Sequence, residues 1–477
     1  MDVTLMTRSP RVFDGPRLPA DPAVLAELSA RVSDVDLAAP PVVLPDFHHK
    51  SNMELPSSVA VATIGTIRPT LTSASVNCGM ALLALTCERP DPAGVVEFYR
   101  RVRERYPYPA RNLRELSAGE VRRAAVDGSR FAAERFDVDA GELSRVEEFG
   151  RLDLDRYGGA ARLARELPSL AFQLARLRFG TVGPSNHFIE LQTVEEVFDP
   201  DAAALLGVRE GQVTLQYHAG GGVLTGEIGA LFGRRRHYPR QLRMAMAVQK
   251  PLYHLATARS YAQLRERLSL YFGAGCPPVA RDSAEGQRLM LANAAAMNYG
   301  FAFRTATYAA LNRIAAQVFG GPGGRLVVDS PHNSIYEEAV PGGQPGETAV
   351  VHRHNACRAY PASLAAPGTV FATTGQAVLL PGTCRTSSYL AVAGPRSGAS
   401  LHSACHGAGT LVADFAERGI STGHPARHQT LRFRYDDAAP LEVGHLDDNG
   451  VDAALSVLVD NGLVRPVARL RPFAVLN

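Results

Sequence analysis

Hydrophobic positions along this chain follow two kinds of pattern. Over residues 91–178, Leu, Val, Phe and Tyr recur every three or four positions among many Arg and Glu, as in Val95, Val96, Phe98 and Tyr99 or Leu163, Leu167, Leu170, Leu174 and Leu177. That spacing aligns apolar side chains on one face of an α-helix and predicts helices there. A second helical stretch is predicted over 241–318, broken by Gly273-Ala274-Gly275-Cys276-Pro277-Pro278. Both are expected to form solvated outer layers. Short β-branched runs bounded by Gly and Pro predict strands at 59–66, 213–217, 325–328, 369–372, 378–380 and 389–392.

No internal repeat or low-complexity linker divides these blocks, so one large α+β domain is the simplest organisation. It is expected over 41–477, with residues 1–40 as an N-terminal extension packed on it. Of the 477 residues, 46% are hydrophobic and 20% charged, enough apolar surface for a large core. A formal net charge of +3 is too small to argue for a polyanionic partner by itself. No apolar run reaches bilayer length, and the first residues mix Asp, Arg and Pro without a signal core. A cytoplasmic protein with no membrane partner is expected. The six cysteines are scattered without a CxxC pair, which reads as free thiols. Cys87 follows an apolar run and is expected in the core.

Chemistry concentrates at the predicted strand ends. Five segments set a thiol or imidazole among small residues: Asn77-Cys78-Gly79-Met80, Ser185-Asn186-His187-Phe188, Tyr217-His218-Ala219-Gly220-Gly221, Asp329-Ser330-Pro331-His332-Asn333 and Ser403-Ala404-Cys405-His406-Gly407-Ala408-Gly409. Sulfur and nitrogen donors of this kind suit a divalent transition ion. Taken singly, each His has a bland reading, a buried imidazole with both nitrogens satisfied. Residue types alone leave both readings open and do not say which His is a ligand and which a nucleophile.

Order and spacing narrow the choice. Ala62-Thr63-Ile64-Gly65-Thr66-Ile67-Arg68-Pro69, Cys78-Gly79-Met80 and Gly180-Thr181-Val182-Gly183-Pro184-Ser185-Asn186-His187-Phe188-Ile189-Glu190 are followed by Asn298-Tyr299, His332-Asn333, His352-Arg353 with Arg358-Ala359, Pro381-Gly382-Thr383 with Ser388-Tyr389, and His406-Gly407-Ala408-Gly409. Over residues 46–472 this series resembles the RtcB family of RNA-splicing ligases. The resemblance implies β-sheets around a central metal and nucleotide cleft, with helices outside. It implies GTP- and Mn²⁺-dependent joining of RNA 3′-phosphate or 2′,3′-cyclic phosphate ends to 5′-hydroxyl ends through a covalent histidine–GMP. By the same resemblance His406 is the nucleophile, with Asp46 and His48 near it, and Cys78, His187, His218 and His332 are metal ligands for one or two ions. Nucleotide contacts map to Asn186, Glu190 and Asn333, to Pro381, Gly382, Thr383 and Ser388, and to Gly407, Ala408 and Gly409. Arg304, Arg353, Arg358 and Arg385 are candidate contacts to RNA or its phosphates. Expected partners are RNA, such as tRNA halves or broken RNA, and an archease-like activator.

The chain departs from the family pattern at charged positions. Ser75 stands where the family carries a metal-binding Asp, which puts a second ion in question. Gly222, Thr410 and Asp414 replace arginines, His354 replaces a Lys, and Asn477 replaces another near the C-terminal end. Each phosphate hydrogen bond lost with such a cation is worth about 1.5–3 kcal/mol. The segment His49-Lys50-Ser51-Asn52-Met53-Glu54 lacks the family's glycines, and Arg234-Arg235-Arg236-His237 adds a basic run. Two further readings therefore stand beside RNA ligation: a nucleotidyl step onto a non-RNA acceptor, and a non-catalytic protein that binds metal or nucleotide.

Overall fold

Gly79–Leu85 has the sequence GMALLAL, and every one of its residues is buried. Successive side chains of a strand point to opposite faces. Ala81, Leu83 and Leu85 accordingly enter one hydrophobic cluster, while Met80, Leu82 and Ala84 enter another. A strand with two apolar faces belongs inside a covered sheet with a neighbour on each side, and Gly79–Leu85 lies between Val213–Ala219 and Gly324–Pro331.

The computed structural model describes residues 9–50, 55–68, 75–108, 115–176, 179–183, 186–233, 240–272, 277–340, 346–424, 429–437 and 439–477. The larger sheet runs, in spatial order, Ala377–Leu380, Ser388–Ala393, Val464–Leu476, Phe188–Val197, Val213–Ala219, Gly79–Leu85 and Gly324–Pro331, with antiparallel neighbours throughout this path. Gln429–Phe433 adds to Val464–Leu476 in parallel. The second sheet runs Arg11–Val12, Val42–Val43, Val59–Thr63, Thr348–His354 and Asn333–Ala339. The N-terminal strand is tied in by Phe13 and Leu18, buried with Val42 and Leu44, and by Arg11, which donates to the Ala399 carbonyl at 2.9 Å.

Three expectations change here. The helical stretch expected as a solvated layer ends in a helix, Ala284–Phe319, of 36 residues that are mostly buried. At 1.5 Å per residue it is about 54 Å long, and residues on all its sides are buried, mostly apolar ones with a few paired charges such as Arg288 and Arg304, the mark of a core helix. The helices Arg240–Thr257 and Tyr261–Phe272 keep the exposed character, with Met244, Val248, Leu252 and Tyr261 open to solvent. The strand expected at 369–372 is a turn leading into the short helix Phe371–Thr374, where Thr373 and Thr374 both donate to the Val370 carbonyl. Local hydrogen bonds override β-propensity there. The run 59–66 divides: one strand stops at Thr63, and Thr66–Ile67 turns away to pair with Val279–Ala280. The basic run 234–237, residues 273–276 of the helix break, residues 51–54 and residues 184–185 lie outside the described residues. No described helix is long and apolar enough to cross a membrane.

The two sheets meet without a linker. Gly324–Pro331 belongs to the larger sheet and Asn333–Ala339 to the second, so His332 is the single residue between them. Beyond Thr348–His354 the chain enters Ala356–Arg358, which pairs with Ser403–Cys405, the strand that delivers His406.

Candidate functional site

Register gathers the donors. Gly79 lies opposite both Ala219 and Pro331, and His218 lies opposite both Met80 and Phe188. Cys78, His187 and His332 each sit one residue beyond a strand end, so all three come to the same edge as His218. The Cys78 sulfur is 3.2 Å from His218 Nε2 and 3.5 Å from His187 Nε2. The His218 ring stands 4.9 Å from those of His187 and His332, and His332 stands 4.5 Å from His406.

Hydrogen bonds fix these positions from behind. The His332 amide donates to the Cys78 carbonyl at 2.9 Å, and Ala356 donates to the His332 carbonyl at 3.0 Å. His218 Nδ1 is 2.8 Å from the Asn186 carbonyl, which holds the proton on Nδ1 and turns the Nε2 lone pair toward Cys78. Asn77, Asp46 and Asn355 adopt left-handed backbone angles, φ 58°, 64° and 49°, a conformation non-glycine residues hold only where their surroundings enforce it. For Asn77 the enforcing group is Arg304, which reaches from the core helix to the Asn77 side chain at 2.7 Å and pairs with Asp329 at 2.7 Å.

Burial keeps the imidazoles neutral. It lowers His187 to about 4 and His406 to about 3, and pulls His218 and His332 well below the ordinary range. It also pushes the Cys78 thiol up to about 12. Neutral rings beside a buried thiol form a donor set of the kind that could hold a divalent ion. His332 Nδ1 is buried with no hydrogen-bond partner, as expected of a ligand atom. Cys78, His218 and His332 form the one His/Cys/carboxylate cluster with ligand atoms within 4.8 Å of one another among the described residues. His187 borders that trio. Ser75 uses its carbonyl to accept from the Cys78 amide and the Asn333 side chain, at 3.0 and 3.3 Å.

A cavity of about 360 Å³ opens over these rings. Asp46, His48, Asn186, His187, Glu190, His218, Pro381, Gly382, Thr383, His406, Gly407 and Gly409, all singled out in the sequence, line it. Asp46 accepts from the Leu411 amide at 3.0 Å, in the first turn of Gly409–Glu417, and so clamps the helix that follows His406. Burial outweighs that bond and raises Asp46 to about 7. Burial also raises Glu190 to about 8, against a 2.7 Å bond from Gln192.

Other expected contacts are placed elsewhere. Asn333 is turned into the scaffold, bonding Ser75 and the Asn355 amide. Ser388 lies behind the loop and accepts from Gly382, and Ala408 is fully buried. Arg304, Arg353 and Arg358 do not face the cavity: each guanidinium is buried in ion pairs, with Asp329, with Glu338 and with Glu147 and Glu148 respectively. Arg385 is exposed and bonds the Gly444 carbonyl at 3.1 Å. Cys87 is half-buried at the edge of the core. Conversely, Lys50, Met80, Phe188, Cys384 and Val475 line the cavity without having been chosen from the sequence. Thr410 and Asn477, noted there as lost cations, are on its wall too.

A family model described as tRNA-splicing ligase RtcB matches residues 30–477. Similar proteins include tRNA-splicing ligase RtcB of Pyrococcus horikoshii, 30% identical over 73% of this chain and 38% of that protein. The Pyrococcus abyssi tRNA-splicing ligase RtcB is 28% identical over 90% of this chain and 43% of its own length. The RNA-splicing ligase RtcB of Mycobacterium bovis is 29% identical over 91% of this chain and 96% of its own. The chain thus spans about two-fifths of the length of these archaeal relatives and nearly all of the mycobacterial one. With the match spanning residues 30–477, from the connection between the first two strands to the end of the larger sheet's longest strand, the chain belongs to the RtcB family.

Proposed function

We propose that this chain is an RNA ligase that joins 3′-phosphate or 2′,3′-cyclic phosphate ends to 5′-hydroxyl ends, with GTP as the activating nucleotide. The observation that carries the reading is His406: a ring kept neutral by burial, on the wall of a nucleotide-sized cavity, 4.5 Å from a ring of the donor cluster. Cys78, His218 and His332, with His187 beside them, would hold Mn²⁺, which when bound offsets negative charge gathering on phosphate oxygens.

A ring nitrogen of His406 attacks the α-phosphorus of GTP. An N–P bond forms, the P–O bond to pyrophosphate breaks, and the electron pair departs with pyrophosphate. Gly407, next to His406, and Gly409, three residues on, carry no side chain to block this approach, and Gly409 has open space where a Cβ would stand. An RNA 3′-phosphate oxygen then attacks the same phosphorus, forming a phosphoanhydride and returning the lone pair to the ring. A cyclic phosphate is first opened by water. Finally the RNA 5′-hydroxyl attacks the 3′-phosphorus, GMP leaves, and the hydroxyl proton goes to a base. Asp46 lines the cavity with a carboxyl raised to about 7, which suits a group that takes up and returns a proton near neutrality.

A second reading keeps the step on His406 and replaces RNA with another acceptor. Thr410 and Asn477 favour it, because two uncharged side chains stand on the wall where the family pattern has Arg and Lys. Radiolabelled GTP with Mn²⁺ is expected to leave an acid-labile, alkali-stable adduct on the wild type and none on His406→Ala. RNA carrying 2′,3′-cyclic phosphate and 5′-hydroxyl ends then separates the readings: joining supports ligation, and label without joining supports a different acceptor. Absence of label from any nucleotide would leave only metal or nucleotide binding.

A further inference from the structure

A cavity that admits phosphate groups needs cations, and this one is short of them. Among the described residues lining it, Lys50 is the one Lys or Arg, set against the carboxyls of Asp46 and Glu190. The buried arginines nearest in sequence to the site motifs are already paired with carboxylates, and the wall positions Thr410 and Asn477 carry no charge. Lys50 is half-buried, and its charge reaches both the ligand cluster, at Cys78 and His332, and the nucleophile, at His406. Its interactions with described residues are charge attractions to Asp46 and Cys78, without a hydrogen bond that would occupy its donors. A partly dehydrated ammonium with free donors is costly to hold in a fold and is offset when an anion arrives.

We infer that Lys50 is the cation of this chain that grips the substrate's phosphate oxygens beside His406. An ammonium is a compact point charge with three rotatable donors, and it holds a phosphate without the fixed fork an arginine needs. The inference rests on the proposed ligase reading only for the owner of the phosphate. Any phosphorylated substrate entering this cavity meets the same charge.

The test uses the full-length chain, metal-free and Mn²⁺-loaded, with inorganic phosphate as the probe in calorimetric titrations. Lys50→Met keeps the apolar stem and removes the charge; it is expected to weaken phosphate binding about 10- to 100-fold, the range of one charged hydrogen bond. Lys50→Arg is expected to retain most of the affinity. Mn²⁺ affinity of Lys50→Met is expected to equal or exceed that of the wild type, since a like charge leaves the neighbourhood of the ion, whereas a residue needed only to build the site would lower it. Phosphate binding equal in wild type and Lys50→Met, no phosphate binding by the wild type, or loss of Mn²⁺ along with the lysine each overturns the inference. The labelling experiment with GTP is independent. No adduct together with Lys50-dependent phosphate binding removes the ligase reading and leaves this inference standing, and the opposite pair of results does the reverse.

Discussion

Glu190 shows how much a single residue's surroundings matter here. Its carboxyl lies in a strand of the larger sheet, on the cavity wall, and burial holds its pKa at about 8 against an ordinary 4.5. A carboxyl whose folded pKa is raised stabilises the fold fully below its unfolded pKa and loses that contribution as pH climbs to the folded value. Wild-type stability is therefore expected to fall, relative to Glu190→Gln, between about pH 4.5 and 8, with a slope of at most about 1.4 kcal/mol per pH unit. Melting temperatures of the two proteins across that window check this; curves that stay parallel would refute it. At Cys78 the expectation concerns the ion. Its thiol must lose a proton to bind, and burial opposes that, so Mn²⁺ affinity is expected to rise with pH. Cys78→Ser, with a weaker donor that stays protonated, is expected to lose at least an order of magnitude in affinity by equilibrium dialysis.

At the scale of elements, the long helix Ala284–Phe319 connects core packing to the site. Arg304, midway along it and fully buried, pairs with Asp329 and holds Asn77, the residue before Cys78. Removing one partner leaves a buried charge alone, so Arg304→Met is expected to cost about 3–5 kcal/mol in urea unfolding. Folded Arg304→Met protein is also expected to bind Mn²⁺ more weakly, because Asn77 loses the bond that keeps its backbone left-handed. A fully stable variant would show that the pair is dispensable. This arginine also marks what sequence could and could not convey. That Cys78, His187, His218 and His332 come together was legible from the order and spacing of the motifs that resemble the family, while thiol and imidazole beside small residues at strand ends left their chemistry open. Charged residues carried no such information: whether Arg304, Arg353 or Arg358 meets phosphate or carboxylate depends on Asp329, Glu338 and Glu148, and the last lies 210 residues from its arginine. Lys50 stood out only as an absent glycine, since its placement depends on a loop whose course no local pattern dictates. The helix itself was visible as a period, but its burial depended on the helices and sheet that enclose it.

For the whole molecule, the candidate donor cluster lies where the two sheets meet. Cys78 directly precedes one interior strand of the larger sheet, His218 lies in the neighbouring strand, and His332 is the one residue between that sheet and the second. An ion held by all three would tie the two sheets together, and its binding energy would become folding energy. Mn²⁺ at about 100 times its dissociation constant is expected to add about 2.7 kcal/mol to stability, and the melting temperature is expected to climb with each increase in free ion. His218→Ala removes the central donor, whose Nε2 lies 3.2 Å from the Cys78 sulfur, and is expected to flatten that dependence while leaving the strand pairing of Val213–Ala219 in place. Calorimetric scans at graded Mn²⁺, repeated after chelation, distinguish this from nonspecific ion effects, which would shift wild type and variant equally. The pH arm sharpens the comparison: the Mn²⁺ increment is expected to shrink as acid keeps the Cys78 thiol protonated, whereas an ion held by surface carboxylates would keep its effect until well below pH 5. A wild-type increment that persists unchanged from pH 8 to pH 5.5 would place the ion away from the junction of the sheets, and the donor cluster would then be a packing feature of the core.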